Sequence, residues 1–161
     1  MDEYSKATKE RTPMAIRTPE SPTRVETAER SSVFSALIGL TTLAVLLQGL
    51  WAGIFLQHDG ERDAAQTWID VHARGADIAI VLALAATVVG FLRLRRRTEL
   101  WVGSAALAVL LIVESYLGGL IRDESKDTLT AVHVPLAMVI MGLAVWLPVR
   151  SRQSRTYLPG E

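Results

Sequence analysis

Charge divides this chain into segments. Acidic and basic residues crowd positions 1–30, 58–77, 93–99, 122–127 and 150–161, and apolar runs lie between them. Each run is about 20 residues, enough to cross ~30 Å of hydrocarbon at ~1.5 Å per residue. Four spans are expected, at Val33–Gln57, Trp68–Leu92, Leu100–Ile121 and Thr128–Val149. A soluble helix confines its apolar residues to one stripe, whereas these segments are apolar nearly all round. The expected fold is an all-α, integral membrane four-helix bundle. At 161 residues it suits a single domain, with the transmembrane part at 32–150 and tails at 1–31 and 151–161.

Short loops rich in arginine stay on the cytoplasmic side. Arg24 and Arg30 precede the first span, Arg93, Arg95, Arg96 and Arg97 follow the second, and Arg150, Arg152 and Arg155 follow the fourth. The other two connections, His58–Asp63 and Arg122–Asp127, are acidic on balance. Both tails and the arginine loop are therefore expected in the cytoplasm. The same argument reads the arginine run as a topology signal and not as a nucleic-acid site. The N-terminal tail is rich in Thr, Glu, Arg and Pro, with Pro13, Pro19 and Pro22 set against a helix, and reads as disordered. The first span starts too late and runs too long for a secretory signal peptide. Arginine far outnumbers lysine and the spans are rich in Ala, Val and Leu, a composition associated with a bacterial cell membrane. The chain has no cysteine, which excludes disulfides, thiolate ligation, iron–sulfur clusters and covalent CxxCH haem attachment.

The chain also repeats. Val71-His72-Ala73-Arg74-Gly75-Ala76 opens the second span and Val132-His133-Val134-Pro135-Leu136-Ala137 opens the fourth. Gln48-Gly49-Leu50-Trp51-Ala52-Gly53-Ile54 ends the first much as Glu114-Ser115-Tyr116-Leu117-Gly118-Gly119-Leu120 ends the third. The pattern describes two αα-hairpins related by an approximate two-fold axis along the membrane normal. It sets His72 and His133 at one depth on diagonally opposed helices. Equal depth and opposed placement are what a haem needs from two neutral imidazoles on its two faces. At ~100° per residue, Ala76, Ala79, Ala83, Ala86 and Gly90 fall within roughly 40° of His72, as Ala137, Ile140 and Ala144 do of His133. Such stripes leave room for a macrocycle, and they also mark plain close packing of helices in lipid. His58 sits in an acidic loop and is expected to be solvated.

Gln48, Asp77 and Glu114 lie deeper, and all three are expected to share one polar layer behind the histidines. Arg74, three residues before Asp77, is expected to form a structural ion pair with it. Glu114 has no cation on its own span and is expected to be protonated by desolvation, or to bond to Gln48 or accept a hydrogen bond from a ligating imidazole. Arg74 and Arg122, near the outer surface, are candidates to pair with haem propionates or to snorkel to headgroups.

The His72 and His133 placement, in the second and fourth of four spans, resembles one half of the haem A synthases. That family has eight membrane helices in two similar four-helix halves, each with a histidine pair at the outer ends of its second and fourth helices. The resemblance covers about Val33–Val149 and implies that His72 and His133 are axial ligands of a b-type haem. The family's catalytic half carries a glutamate three residues before its first histidine, where this chain has Ile69, and the second half of the enzyme is missing here. The resemblance is therefore to the half that holds haem as a cofactor. No nucleotide loop, metal-hydrolase motif or nucleophile triad assigns a catalytic residue. The expected function is electron transfer or haem handling beside a membrane redox partner or an oxidase-assembly complex. A cofactor-free accessory subunit and a small proton-coupled transporter using Glu114 and Asp77 stay open as alternatives.

Overall fold

A computed structural model of the chain describes residues 22–58, 62–124 and 126–153. It is all-helical: α1 is Pro22–Leu56, α2 Arg62–Arg93, α3 Thr98–Glu124 and α4 Thr130–Gln153, with one turn of 3₁₀-helix at Asp127–Leu129 leading into α4. Within these, Ser32–Leu56, Ala65–Arg93, Thr98–Glu124 and Thr130–Gln153 are each long and apolar enough to cross a membrane. The chain is a multi-pass membrane protein.

α2, α3 and α4 run past their expected ends, because intrahelical bonds do not stop where hydrocarbon stops. The last turns take up Arg93, Arg122, Arg150 and Arg152, whose positive charge complements the carbonyl end of a helix. Arg122, Asp123 and Glu124 thus belong to α3 and not to a loop. α1 begins eleven residues before its expected span. Pro22 starts it where a helix break was expected; at a first helical position the fixed φ fits, and the missing N–H has no partner to lose. The remainder of the expected tails, 1–21 and 154–161, lies outside the described residues.

α1 packs on α2 and α4, and α3 packs on the same two, so α2 and α4 face each other diagonally. Neighbours are antiparallel: Gly90 of α2 lies against Phe34 of α1 and Trp101 of α3, Gly103 of α3 against Leu147 of α4, and Gly118 against His133. The buried core is concentrated toward the end that carries the arginines. Phe34 and Ile38, Ala83 and Ala86, Leu100 and Leu107, and Ala144 and Leu147 fill it. At the opposite end Val132, Val134, Met138 and Val139 of α4 are all exposed. The stripe Ala79, Ala83, Ala86 and Gly90 is buried, and serves close helix packing.

Two details set how the helices meet. Pro148, inside α4, has no N–H to give the Ala144 carbonyl four residues back. Thr42 of α1 reaches that carbonyl: its Oγ1 lies 2.6 Å from Ala144 O and 2.8 Å from Ile38 O on its own helix, and its one proton serves the two in turn. Gly75 of α2 occupies ground that any side chain would contest, because Trp51 and Gln48 of α1 press onto the place of a Cβ.

Thr42→Val leaves the Ala144 carbonyl unpaired and is expected to cost about 1–3 kcal/mol, read as thermal unfolding in detergent. Thr87→Val, which removes only a hydroxyl bonded to its own helix at Ala83 O, is the mild control. Gly75→Ala is expected to destabilise by about 1–3 kcal/mol through overpacking. Gly39→Ala, where a Cβ meets nothing within 4 Å, is expected to be neutral or slightly stabilising.

Candidate functional site

The end of the molecule with the looser packing carries the buried polar side chains of interest. His72 is half-buried on α2, one helix away from Gln48 on α1. Its Nδ1 lies 3.2 Å from the Gln48 main-chain carbonyl. With the Gln48 amide oriented to suit its surroundings, Nε2 donates to the His72 carbonyl at 2.8 Å and sits 3.1 Å from His72 Nδ1, and Oε1 accepts from the Ala76 N–H at 3.2 Å. The absent side chain of Gly75 lets this amide reach the α2 backbone. Phe55 meets the His72 ring edge-on, with centroids 5.6 Å apart.

In the second hairpin the histidine lies against the matched position through that residue's side chain and not its main chain. His133 of α4 is half-buried against α3, its Nδ1 3.2 Å from Oε1 of Glu114. The pair is close but misaligned, and both Glu114 oxygens and His133 Nδ1 are buried without a hydrogen bond. One turn further along α3, a Cβ on Gly118 would touch His133 Cε1 at 3.3 Å and Nε2 at 3.9 Å. Glycine there leaves the imidazole its room.

Several expected residues come together here and others do not. Gln48 and Glu114 each back a histidine, and Glu114 meets His133 and not Gln48. Ala76 is half-buried under His72, Ala79 is buried, and Ala137 beside His133 is exposed. Asp77 does not join the polar layer: it is exposed, on the face of α2 turned away from His72. The expected Arg74–Asp77 ion pair is also absent; Arg74 is exposed, and neither has an ion-pair partner among the described residues. A cation placed before the acid is the poorer order on a helix, since each charge then sits against the macrodipole. Arg122 is exposed and pairs with its neighbour Asp123, Nε to Oδ1 at 2.7 Å. His58 is half-buried, Nδ1 3.0 Å from the Ile54 carbonyl, so it caps the end of α1 where free solvation was expected.

Sequence reasoning missed Trp51, Phe55 and Gly118 as parts of the site. The repeat held a signal for Trp51 and Gly118, since both fall in the matched segments, but only the helix register shows what they touch. No group of three or more His, Asp or Glu side chains among the described residues has the spacing of a metal-ion site. Neither a family model, nor a curated protein, nor a solved structure matches this chain.

Gln48→Leu removes an amide that bonds two main-chain groups of α2, and is expected to cost about 1–3 kcal/mol. Glu114→Gln keeps shape and polarity in a place where neither oxygen holds a hydrogen bond, so its unfolding midpoint in detergent is expected to stay near that of the parent. A large loss for Glu114→Gln beside a silent Gln48→Leu would reverse these assignments.

Proposed function

We propose that the protein binds one haem b between His72 and His133, for electron transfer or haem handling in a bacterial cell membrane. One observation carries the reading. Two imidazoles on the diagonal helices α2 and α4 each have Nδ1 3.2 Å from the matched residue of the preceding helix. A proton held on Nδ1 leaves the Nε2 lone pair for a metal; at His72 that proton would go to the Gln48 carbonyl, and at His133 to Glu114 once the pair is aligned.

The residues present suit the group. The donors are two neutral-capable imidazoles with no competing thiolate, and the Glu114 and His133 atoms left without hydrogen bonds are those a ligated, reoriented imidazole would satisfy. Gly118 leaves space beside the His133 ring, and Ala76 is the small residue below His72. Bound there, the haem would supply one-electron chemistry, with both axial positions taken by protein. Around it, Gln48 and Glu114 orient the imidazoles, Phe55 packs on one of them, and the apolar spans exclude water. Arg122 is the cation that can exchange Asp123 for a propionate. The recurrence of the contact in both hairpins also favours the two-fold repeat. The reading agrees with the likeness to the cofactor-holding half of the haem A synthases.

For orientation, the arginine content of the tails and of the 93–97 connection favours both termini in the cytoplasm. A cysteine at Lys126 is then labelled by an impermeant reagent applied to whole cells, and one at Thr98 is not. The reverse pattern inverts the topology.

The haem reading is tested by the absorption spectrum of protein expressed with ample haem. The reduced form is expected to show the sharp bands of a low-spin, six-coordinate iron. His72→Ala and His133→Ala are each expected to yield a high-spin, five-coordinate haem or none, while His58→Ala leaves the spectrum unchanged. Folded but colourless protein overturns the reading and leaves a cofactor-free accessory subunit.

A further inference from the structure

Arg74 and Asp77 have no part in the histidine site and no ion-pair partner among the described residues. Asp77 lies twelve residues from the start and sixteen from the end of the apolar stretch Ala65–Arg93, near mid-membrane. It is exposed there, as is Arg74 one turn nearer the histidine end. Charges in hydrocarbon are costly and are retained where something pairs with them. The face they occupy continues down the helix. Arg74, Asp77, Val81, Leu84, Val88 and Phe91 are all exposed and follow each other at alternating three- and four-residue steps. That is the spacing of a seam that packs against a parallel helix. α1 and α3 cover the other faces of α2 and leave this one open.

We propose that a second copy of this chain covers this face, α2 against α2, with Arg74 of each copy paired to Asp77 of the other. All copies insert with one orientation and at one depth, so their two-fold axis stands along the membrane normal and brings the two α2 helices side by side and parallel. Across that axis Arg74 of one copy stands about 4.5 Å in height from Asp77 of the next, three residues at ~1.5 Å each, within the span of an arginine side chain. The axis makes the pair twice. A face that presents one cation and one anion in this register is complementary to itself, which selects a second copy over an unrelated partner. The proposal is independent of haem binding.

The test uses the full chain in membrane vesicles. The chain has no native cysteine, so each introduced one is the sole thiol. Under mild oxidation Leu84→Cys and Val88→Cys are expected to give a disulfide-linked dimer. Met138→Cys on α4, which is 72% exposed, is the control for random collision and is expected to give far less. Adding Asp77→Asn to Leu84→Cys is expected to lower the cross-linked fraction about tenfold, the scale of removing two polar pairs between helices in lipid. Exchanging the charges with Arg74→Asp and Asp77→Arg together is expected to restore it. Equal cross-linking from Leu84 and Met138, none from Leu84 and Val88, or a dimer unmoved by Asp77→Asn overturns the proposal.

Discussion

Inside hydrocarbon no water completes a hydrogen bond, so every main-chain N–H and C=O must find its partner within the protein. The four helices meet this demand along most of their length by their own ladders. What distinguishes the molecule is how it treats the exceptions. Pro148 opens one gap, and the hydroxyl of Thr42 closes it from another helix. Gln48 does the reverse, committing a side-chain amide to α2 backbone groups that the ladder has largely satisfied already. The first contact ties α1 to α4 near the arginine end, and the second ties α1 to α2 near the histidine end. α1 is thereby the helix on which the register of its two neighbours depends.

The two ends are built differently as a result. The arginine end is a dry core of Phe34, Ile38, Leu100, Leu107 and Leu147, with small residues of α2 letting the helices approach. The histidine end exposes much of α4 and buries polar atoms that lack hydrogen bonds. A well-packed half holds the helices in place, and the other half is left free to carry groups that packing alone would reject. Dense packing and buried polar side chains are separated along the helix axes.

Much of this was legible in the sequence. Segment composition was enough to place four membrane-spanning helices, because length and apolarity are local quantities. The repeat located His72 and His133 and matched Gln48 with Glu114, and both histidines do meet those partners. Asp77 shows where the reasoning stopped. Its depth resembled that of Gln48 and Glu114, but depth is not direction, and five residues beyond His72 at ~100° each turn it away from the layer. The error carried over to Arg74, assigned to Asp77 on spacing alone. Trp51 and Gly75 were beyond reach for another reason: their contact depends on the register between helices, which no single segment encodes. The ends of α2, α3 and α4 were also placed too early, since apolarity ends before the backbone ladder does.

The Thr42–Ala144 contact has a consequence for how the molecule is assembled. α1 is synthesised first and α4 last, so the acceptor freed by Pro148 appears only when three helices already stand in the bilayer. Among the described residues the side chain that reaches the Ala144 oxygen stands on α1, made before the other three helices. Once α4 is in the bilayer, its freed carbonyl favours contact with α1. Until the first helix and the last one touch, the newest segment carries a bare carbonyl that lipid cannot quench, and that deficit favours the contact which completes the fold.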